Sequence, residues 1–192
     1  MGKQKSPVYD WRFLFNFILG VFPVTILETE RLTLRQLTTD DAEFILGLVN
    51  EPSFIQNIGD RQVRTLEDAC AYIMNGPVKS YEKHGFGLWA IVLKETNEAI
   101  GMCGLIRRDS LEDVDIGYAL LPRFWSQGYA VEAARATKIY ARDVIGLKRI
   151  VAIVDPANEG SIRVLDKIGL HYEKMVRLSA DDIDLQLFGA DL

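Results

Sequence analysis

The sequence predicts a layered α/β (α+β) fold, with a mixed, mostly antiparallel central sheet flanked by helices. Three observations carry this. The middle of the chain holds three apolar runs in succession, "FGLWAIVL", "IGMCGLI" and "VDIGYALL", separated only by polar or acidic turns, which is the pattern of a strand meander. The second half alternates helix-like and strand-like segments, which places helices on the faces of one sheet. The length, 192 residues with 48% hydrophobic and 26% charged, suits one core of ordinary size in a soluble globular chain.

The elements can be justified in order. "RLTLRQL" alternates Leu32 and Leu34 with polar neighbours and reads as a half-buried strand. "TTDDAEFILGLVN" switches to helical spacing. Asp40 and Glu43 resemble a capping box, and Phe44, Ile45, Leu48 and Val49 form the apolar face. A second helix is predicted from near Thr65. It stops or bends at Gly76-Pro77, because proline lacks an N–H and clashes with the preceding turn. The meander follows, with "KETNEA" and "RDSLED" as its turns. A helix then runs through "AVEAARATKIYARDVIG", where Ala130, Ala133, Ala134, Thr137, Tyr140, Ala141 and Val144 recur at helical spacing and Gly146 is the end signal. "KRIVAIV" reads as a strand, "NEGSIRVLDKIG" as a short helix closed by Gly169, and "HYEKMVRL" and "DIDLQLF" as the last strands. No internal repeat is visible. Residues 25–192 read as a single domain and residues 1–24 as an apolar extension.

That extension contains "WRFLFNFILGVFPV" (Trp11 to Val24), which is interrupted by Arg12, Asn16, Gly20 and Pro23. It falls short of the about 20 apolar residues that cross a bilayer. Lys3 and Lys5 ahead of it resemble a signal peptide, but no small-x-small cleavage site follows. A segment packed on the domain or on a partner chain, a mobile extension and a membrane contact all fit it. A net charge of −5 opposes nonspecific nucleic-acid binding, which needs cations to neutralise phosphates, but leaves room for a local basic pocket around one phosphorylated ligand. Cys70 and Cys103 sit in different segments and read as small buried hydrophobes. Together with His84 and His171 they make no metal-ligand spacing, so no metal is expected, and the expected compartment is the reducing cytoplasm.

The junction "LPRFWSQGYAVEA" carries the main functional signal. Ser126, Gln127, Gly128, Tyr129 and Ala130 lie between a strand and a helix start, where about four backbone N–H groups lack partners and the helix dipole attracts anions. Gly128 lets the chain approach a ligand without a Cβ, and Ala130, Ala133 and Ala134 keep the helix face small. A glycine serving the turn alone is the plainer reading of this piece in isolation. The junction is neither a P-loop nor G-x-G-x-x-G, which argues against nucleoside triphosphates and dinucleotides.

Together, "DIGYALLPRFWSQGYAVEA", the strand after it and "NEGSIRVLDKIGL" resemble the GNAT superfamily of acyl-CoA N-acyltransferases, in particular the RimJ and RimL branch of ribosomal-protein N-terminal acetyltransferases. The resemblance spans roughly Thr29 to Phe188. It implies that acetyl-CoA is the acyl donor and that the loop's backbone amides hold its pyrophosphate. The family pattern Gln/Arg-x-x-Gly-x-Gly/Ala falls on Trp125 to Ala130, with Trp125 where Gln or Arg is usual. The resemblance further implies a strand splayed from its neighbour, with Ala119 and Leu120 beside pantetheine, and Asn158 touching the pantetheine arm. It makes Ser161 a candidate proton donor to the thiolate. Many members place a Tyr seven residues after that Asn, and here the position is Leu165.

Acyl transfer from a thioester to an amine requires an amine that loses its proton, donors for the oxyanion and a proton for the departing thiolate. Asp115, on the strand before the loop, is the expected general base, since the family often carries Glu just before Ile-Gly-Tyr. A solvent-facing carboxylate at the strand edge is the competing reading, with Glu112 and Asp113 as runners-up. Asn158 is also a good helix N-cap in its own right. Substrate selection is expected from the first two helices and their joining loop, "EPSFIQNIGDRQVR", with Phe54 and Ile55 as a wall and Asp60 for the amine, and from the hairpin of the last two strands. The chain therefore reads as an acetyl-CoA-dependent N-acetyltransferase acting on a primary amine of a peptide or small molecule, with neither nucleic acid nor membrane as partner. A homodimer through a sheet edge or the apolar N-terminus is compatible with it. The rivals are an acyl-CoA-binding sensor or partner subunit of the same fold, and a membrane-associated interaction protein led by Trp11 to Val24.

Overall fold

A computed structural model describes residues 23–178 and 183–192. The extension expected over residues 1–24 lies outside the described residues apart from Pro23 and Val24. Eight strands form one sheet: β1 (Thr25–Glu28), β2 (Leu32–Arg35), β3 (Leu88–Leu93), β4 (Ala99–Ile106), β5 (Val114–Leu120), β6 (Arg149–Val154), β7 (His171–Val176) and β8 (Leu185–Asp191). Their order is β1-β2-β3-β4-β5-β6-β8-β7. All neighbours are antiparallel except β5 and β6, which are parallel, so the expected mixed and mostly antiparallel sheet is present.

Helices cover both faces. One face carries α1 (Ala42–Val49), α2 (Pro52–Ile58) and α3 (Leu66–Ile73), and the other α5 (Tyr129–Tyr140) and α6 (Glu159–Lys167); α4 (Lys79–His84) sends its buried Tyr81 into the core on the α5 side. Because strand side chains alternate, one strand feeds both cores. Trp89, Ile91, Cys103 and Leu105 pack toward α5, while Ala90, Val92 and Met102 pack toward Ile45, Leu48 and Ile73. The alanine run of α5 is explained here. Ala133, Ala134, Thr137 and Ala141 are wholly buried against the sheet, with Thr137 Oγ1 3.4 Å from Cys103 Sγ.

Three local readings need correction and a fourth is narrowed. The first helix is not capped by Asp40 and Glu43. Thr38 N–H donates to Asp41 Oδ2 at 2.9 Å, a 3-10 turn (Thr39–Asp41) leads into α1, and Arg35 clamps the Asp41 carboxylate at 2.7 and 2.8 Å. The Arg35 partner selects the box two residues earlier. The segment "EPSFIQNIGDRQVR" is not loop throughout: Pro52 starts α2 at its first turn, buried Phe54 anchors it, and Gly59 ends it. Of the two outcomes expected at Gly76-Pro77, the stop does not occur. A wide π turn (Met74–Val78) absorbs the missing N–H, and α4 continues to left-handed Gly85. Finally, β1 precedes the first strand read from the pattern, its register interrupted by a bulge that erases the alternation.

Strands β3 and β4 approach closely where Gly104 faces the Gly87 carbonyl, leaving no space for a Cβ. Gly104→Ala is therefore expected to cost at least about 2 kcal/mol and to lower the melting temperature by roughly 4–8 °C. Thermal unfolding of the variant checks it, and an unchanged melting temperature contradicts the packing described.

Candidate active site

The site begins where two strands part. β5 and β6 are paired only at Val114↔Ile150 and Asp115↔Val151. Beyond that point β5 stays bonded to β4 as far as Leu120, and β6 to β8 as far as Val154, so each is held away from the other. Backbone groups of an antiparallel strand alternate between its two neighbours. Leu121 N–H goes to Ile100 O on the β4 side, so those of Tyr118 and Leu120 turn to the opening and those of Ala119 to β4. The Leu120 N–H thus turns to the opening and the Ala119 backbone does not, although both residues line the cleft. The opening is part of a cleft of about 1270 Å³ that also takes walls from α2, α5 and α6.

At the far end of β5 the chain turns into α5 through two left-handed residues, Ser126 (φ 60°) and Gly128 (φ 85°). Gly128 is the N-cap, and its carbonyl accepts the first helical hydrogen bond from Glu132 N–H at 3.0 Å. The amides of Tyr129, Ala130 and Val131 consequently have no partner within the helix and form a cradle for an anion. Ser126, Gly128, Tyr129 and Ala130 line the cleft. The Gln127 side chain does not: its Nε2 donates to Arg123 O at 2.9 Å. Trp125, the departure from the family pattern, donates its indole N–H to Leu120 O at 2.8 Å and so ties the loop to the end of β5.

Arg31 escaped the sequence reading because it lies about a hundred residues away. It pairs with Glu132 at 2.6 Å, donates to Gln127 O at 3.1 Å and stacks 4.4 Å above the Tyr129 ring. Partial burial pushes the Glu132 pKa up, but hydrogen bonds from Thr29 and Arg31 outweigh it and hold the carboxyl below its usual range. Arg31 thereby offsets the one negative charge in the first turn of α5, which would otherwise repel an anion.

Asp115 lies where β5 and β6 separate, roughly 17 Å from Leu120 along the strand. It is 2% exposed, so the solvent-facing alternative is wrong. Burial pushes its pKa up to about 6, against the opposing pull of Arg108, whose Nε meets Oδ2 at 2.6 Å, and of the Ile153 N–H. The runner-up Asp113 is held by Arg149 at 3.0 Å, and neither it nor Glu112 lines the cleft.

On the opposite face of β5, Tyr118 Oη and Ser161 Oγ are 2.8 Å apart, both in the cleft. Burial raises the Tyr118 pKa, so the phenol keeps its proton. Asn158 Oδ1 accepts from Ser161 N–H at 3.0 Å, so the Asn caps α6 and fixes Ser161. Tyr118 was missed as a partner of Ser161. Its strand parity toward α6 was readable, the contact across 43 residues was not. Leu165 is in the core. Cys103 is buried, its thiol pushed up to about 12, which agrees with a core role. Phe54 lines the cleft, but Ile55 does not, and Asp60 is taken by Arg64 at 2.5 Å outside it.

A sheet opened between two parallel strands, with an anion cradle at one end and a buried carboxylate at the other, defines an acyl-transfer scaffold. The description "Acetyltransferase (GNAT) domain" matches residues 31–171. YkkB of Bacillus subtilis (strain 168), called an uncharacterized protein, is 34% identical over 160 residues, 80% of this chain and 89% of its own. The uncharacterized N-acetyltransferase YoaA of the same strain is 34% identical over 158 residues, 82% and 88% respectively. The solved RimL ribosomal L7/L12 alpha-N-protein acetyltransferase in complex with coenzyme A superposes with a TM-score of 0.74 at 20% identity, over 88% of this chain and 98% of that one. This chain belongs to the GNAT acetyltransferases.

The left-handed N-cap is testable. Gly128→Ala is expected to cost about 1–2 kcal/mol, read by urea unfolding. A variant as stable as the parent contradicts the φ of 85° described for the cap.

Proposed function

We propose that the protein transfers an acetyl group from acetyl-CoA to a primary amine, on a peptide N-terminus or a small molecule, by direct attack within the β5–β6 opening. The observation that carries this reading is the alignment of three features along one strand: the amide cradle after β5, the backbone groups of Tyr118 and Leu120 turned to the opening, and Asp115 at its closed end. The cradle suits a pyrophosphate, and the Tyr118 backbone groups with the Leu120 N–H suit the amides of a pantetheine arm. RimL, a structural neighbour, is held in complex with coenzyme A, which supports the same ligand here.

Asp115 acts as general base. With a pKa raised to about 6 it is mostly ionised at neutral pH yet basic enough to take an ammonium proton, directly or through a water. Arg108 occupies Oδ2 and fixes the carboxylate's orientation. The amine nitrogen forms the new C–N bond, the C–S bond breaks, and the Tyr118–Ser161 hydroxyl pair gives a proton to the leaving thiolate. The proton that the nitrogen loses on becoming an amide passes to solvent, from which the pair is reprotonated. A covalent intermediate on the protein is not needed.

Calorimetric titration with acetyl-CoA, with GTP and NAD as controls, tests donor binding. At about 100 times the dissociation constant, acetyl-CoA should stabilise the fold by about 2.7 kcal/mol. Failure of every CoA species to bind overturns the reading. The pH profile tests the base. Below about pH 6 Asp115 is protonated and cannot accept a proton, so kcat/KM should fall as pH drops through that value. Asp115→Asn should lower kcat by about 10²–10⁴-fold and abolish that acidic limb. A variant without loss of turnover removes Asp115 from the chemistry, and a chain that binds acetyl-CoA but acylates no amine favours the sensor.

A further inference from the structure

We propose that the acceptor carries, within a few bonds of its amine, a carboxylate or phosphate that Arg108 and Arg61 recognise. This rests on the transfer reading above and narrows its acceptor. Asp115 projects from the same face of β5 as Ala119, which packs with the core under α1–α3. The amine therefore meets the base from that layer, whereas the cradle lies at the start of α5, on the other side. In the α1–α3 layer the cleft is bordered by Phe54 and Ile58 of α2, by Arg61 and by Tyr72 of α3, with Arg108 beside the base.

The charges there are unbalanced in one direction. Arg108 gives Nε to Asp115, and its two terminal nitrogens have no partner among the described residues. Arg61 is exposed, close enough to act on the Tyr72 phenol, and has no side-chain hydrogen bond or ion pair among the described residues. The acids nearest in sequence are committed. Asp60 is held by Arg64 and Gln62, and Asp68 accepts the amides of Arg64 and Thr65. Among the described residues, Asp115 is thus the one carboxylate lining this side of the cleft, which Arg108 and Arg61 line as well.

A guanidinium that shows Nε to the base and its terminal fork to the cleft sets the place of an anion next to the place of the amine. Fork-to-carboxylate or fork-to-phosphate pairing is the strong, directional form of this contact. The same two cations repel a second positive charge, which disfavours polyamines and polycationic amines. They also lower the pKa of a nearby ammonium, which helps Asp115 free the nucleophile. This reverses the earlier expectation that Asp60 would attract a cationic acceptor.

The test uses the full chain, saturating acetyl-CoA and thiol release, with rates expressed per unprotonated amine. Two matched pairs isolate the anion: leucine against leucinamide for a carboxylate, and O-phosphoethanolamine against ethanolamine for a phosphate. Spermidine is the cationic comparison. The expected result is a kcat/KM at least about tenfold higher for the acidic member of one pair, and the pair that responds identifies the anion. Arg61→Ala should raise KM for that acceptor while leaving the KM for acetyl-CoA unchanged, and Arg61→Lys should restore part of the loss. If the neutral members or spermidine are acetylated as well as the acidic ones, or if Arg61→Ala keeps the acidic preference intact, this inference is overturned while the transfer reading stands. If acetyl-CoA fails to bind, both fall together.

Discussion

Everything functional in this fold depends on a pairing that is abandoned. β5 and β6 run parallel and bond for only two residue pairs, and then each follows its antiparallel partner. Sheet twist pulls such strands apart once their ladder ends. The separation converts interior backbone into a lined cleft without unfolding either strand, because each strand keeps a full ladder on its outer side. Period-two alternation then distributes the side chains of β5. Asp115 emerges on one face and Tyr118 on the other, so two helical layers meet the same gap from opposite sides.

The electrostatics follow from that geometry. A carboxylate buried to the extent of Asp115 is costly unless it has partners, and Arg108 and the Ile153 amide supply them without quenching its basicity. At the other end, Arg31 cancels Glu132 and leaves the first-turn amides of α5 as the dominant attraction for an anion. The chain's net charge of −5 gives no hint of either arrangement, since both are made by single residues placed where field lines are concentrated.

Much of this was legible in the amino-acid order, because it is local. The meander, the α5 helix with its small face, the left-handed glycine before it and the Asn158 cap each announce themselves within a few residues. Asp115 was legible through its place before Ile-Gly-Tyr, although its burial was not. What escaped depends on particular side-chain pairings, two of them between distant segments and two local. Arg31 reaches Glu132 across 101 residues, and Tyr118 reaches Ser161 across 43. Asp60 looked available until Arg64, one helical turn on, was seen to hold it. The capping box moved to Thr38 and Asp41 because Arg35, on a neighbouring element, made Asp41 the better acceptor.

Opening a sheet from within also creates two new edges, and bare strand edges invite pairing with other chains. The indole of Trp125 takes the Leu120 carbonyl, the last outward acceptor of β5, and thereby shortens the bare edge from its open end. A residue that looked like a lapse from a loop pattern thus closes the end of an edge that the opened sheet would otherwise leave bare.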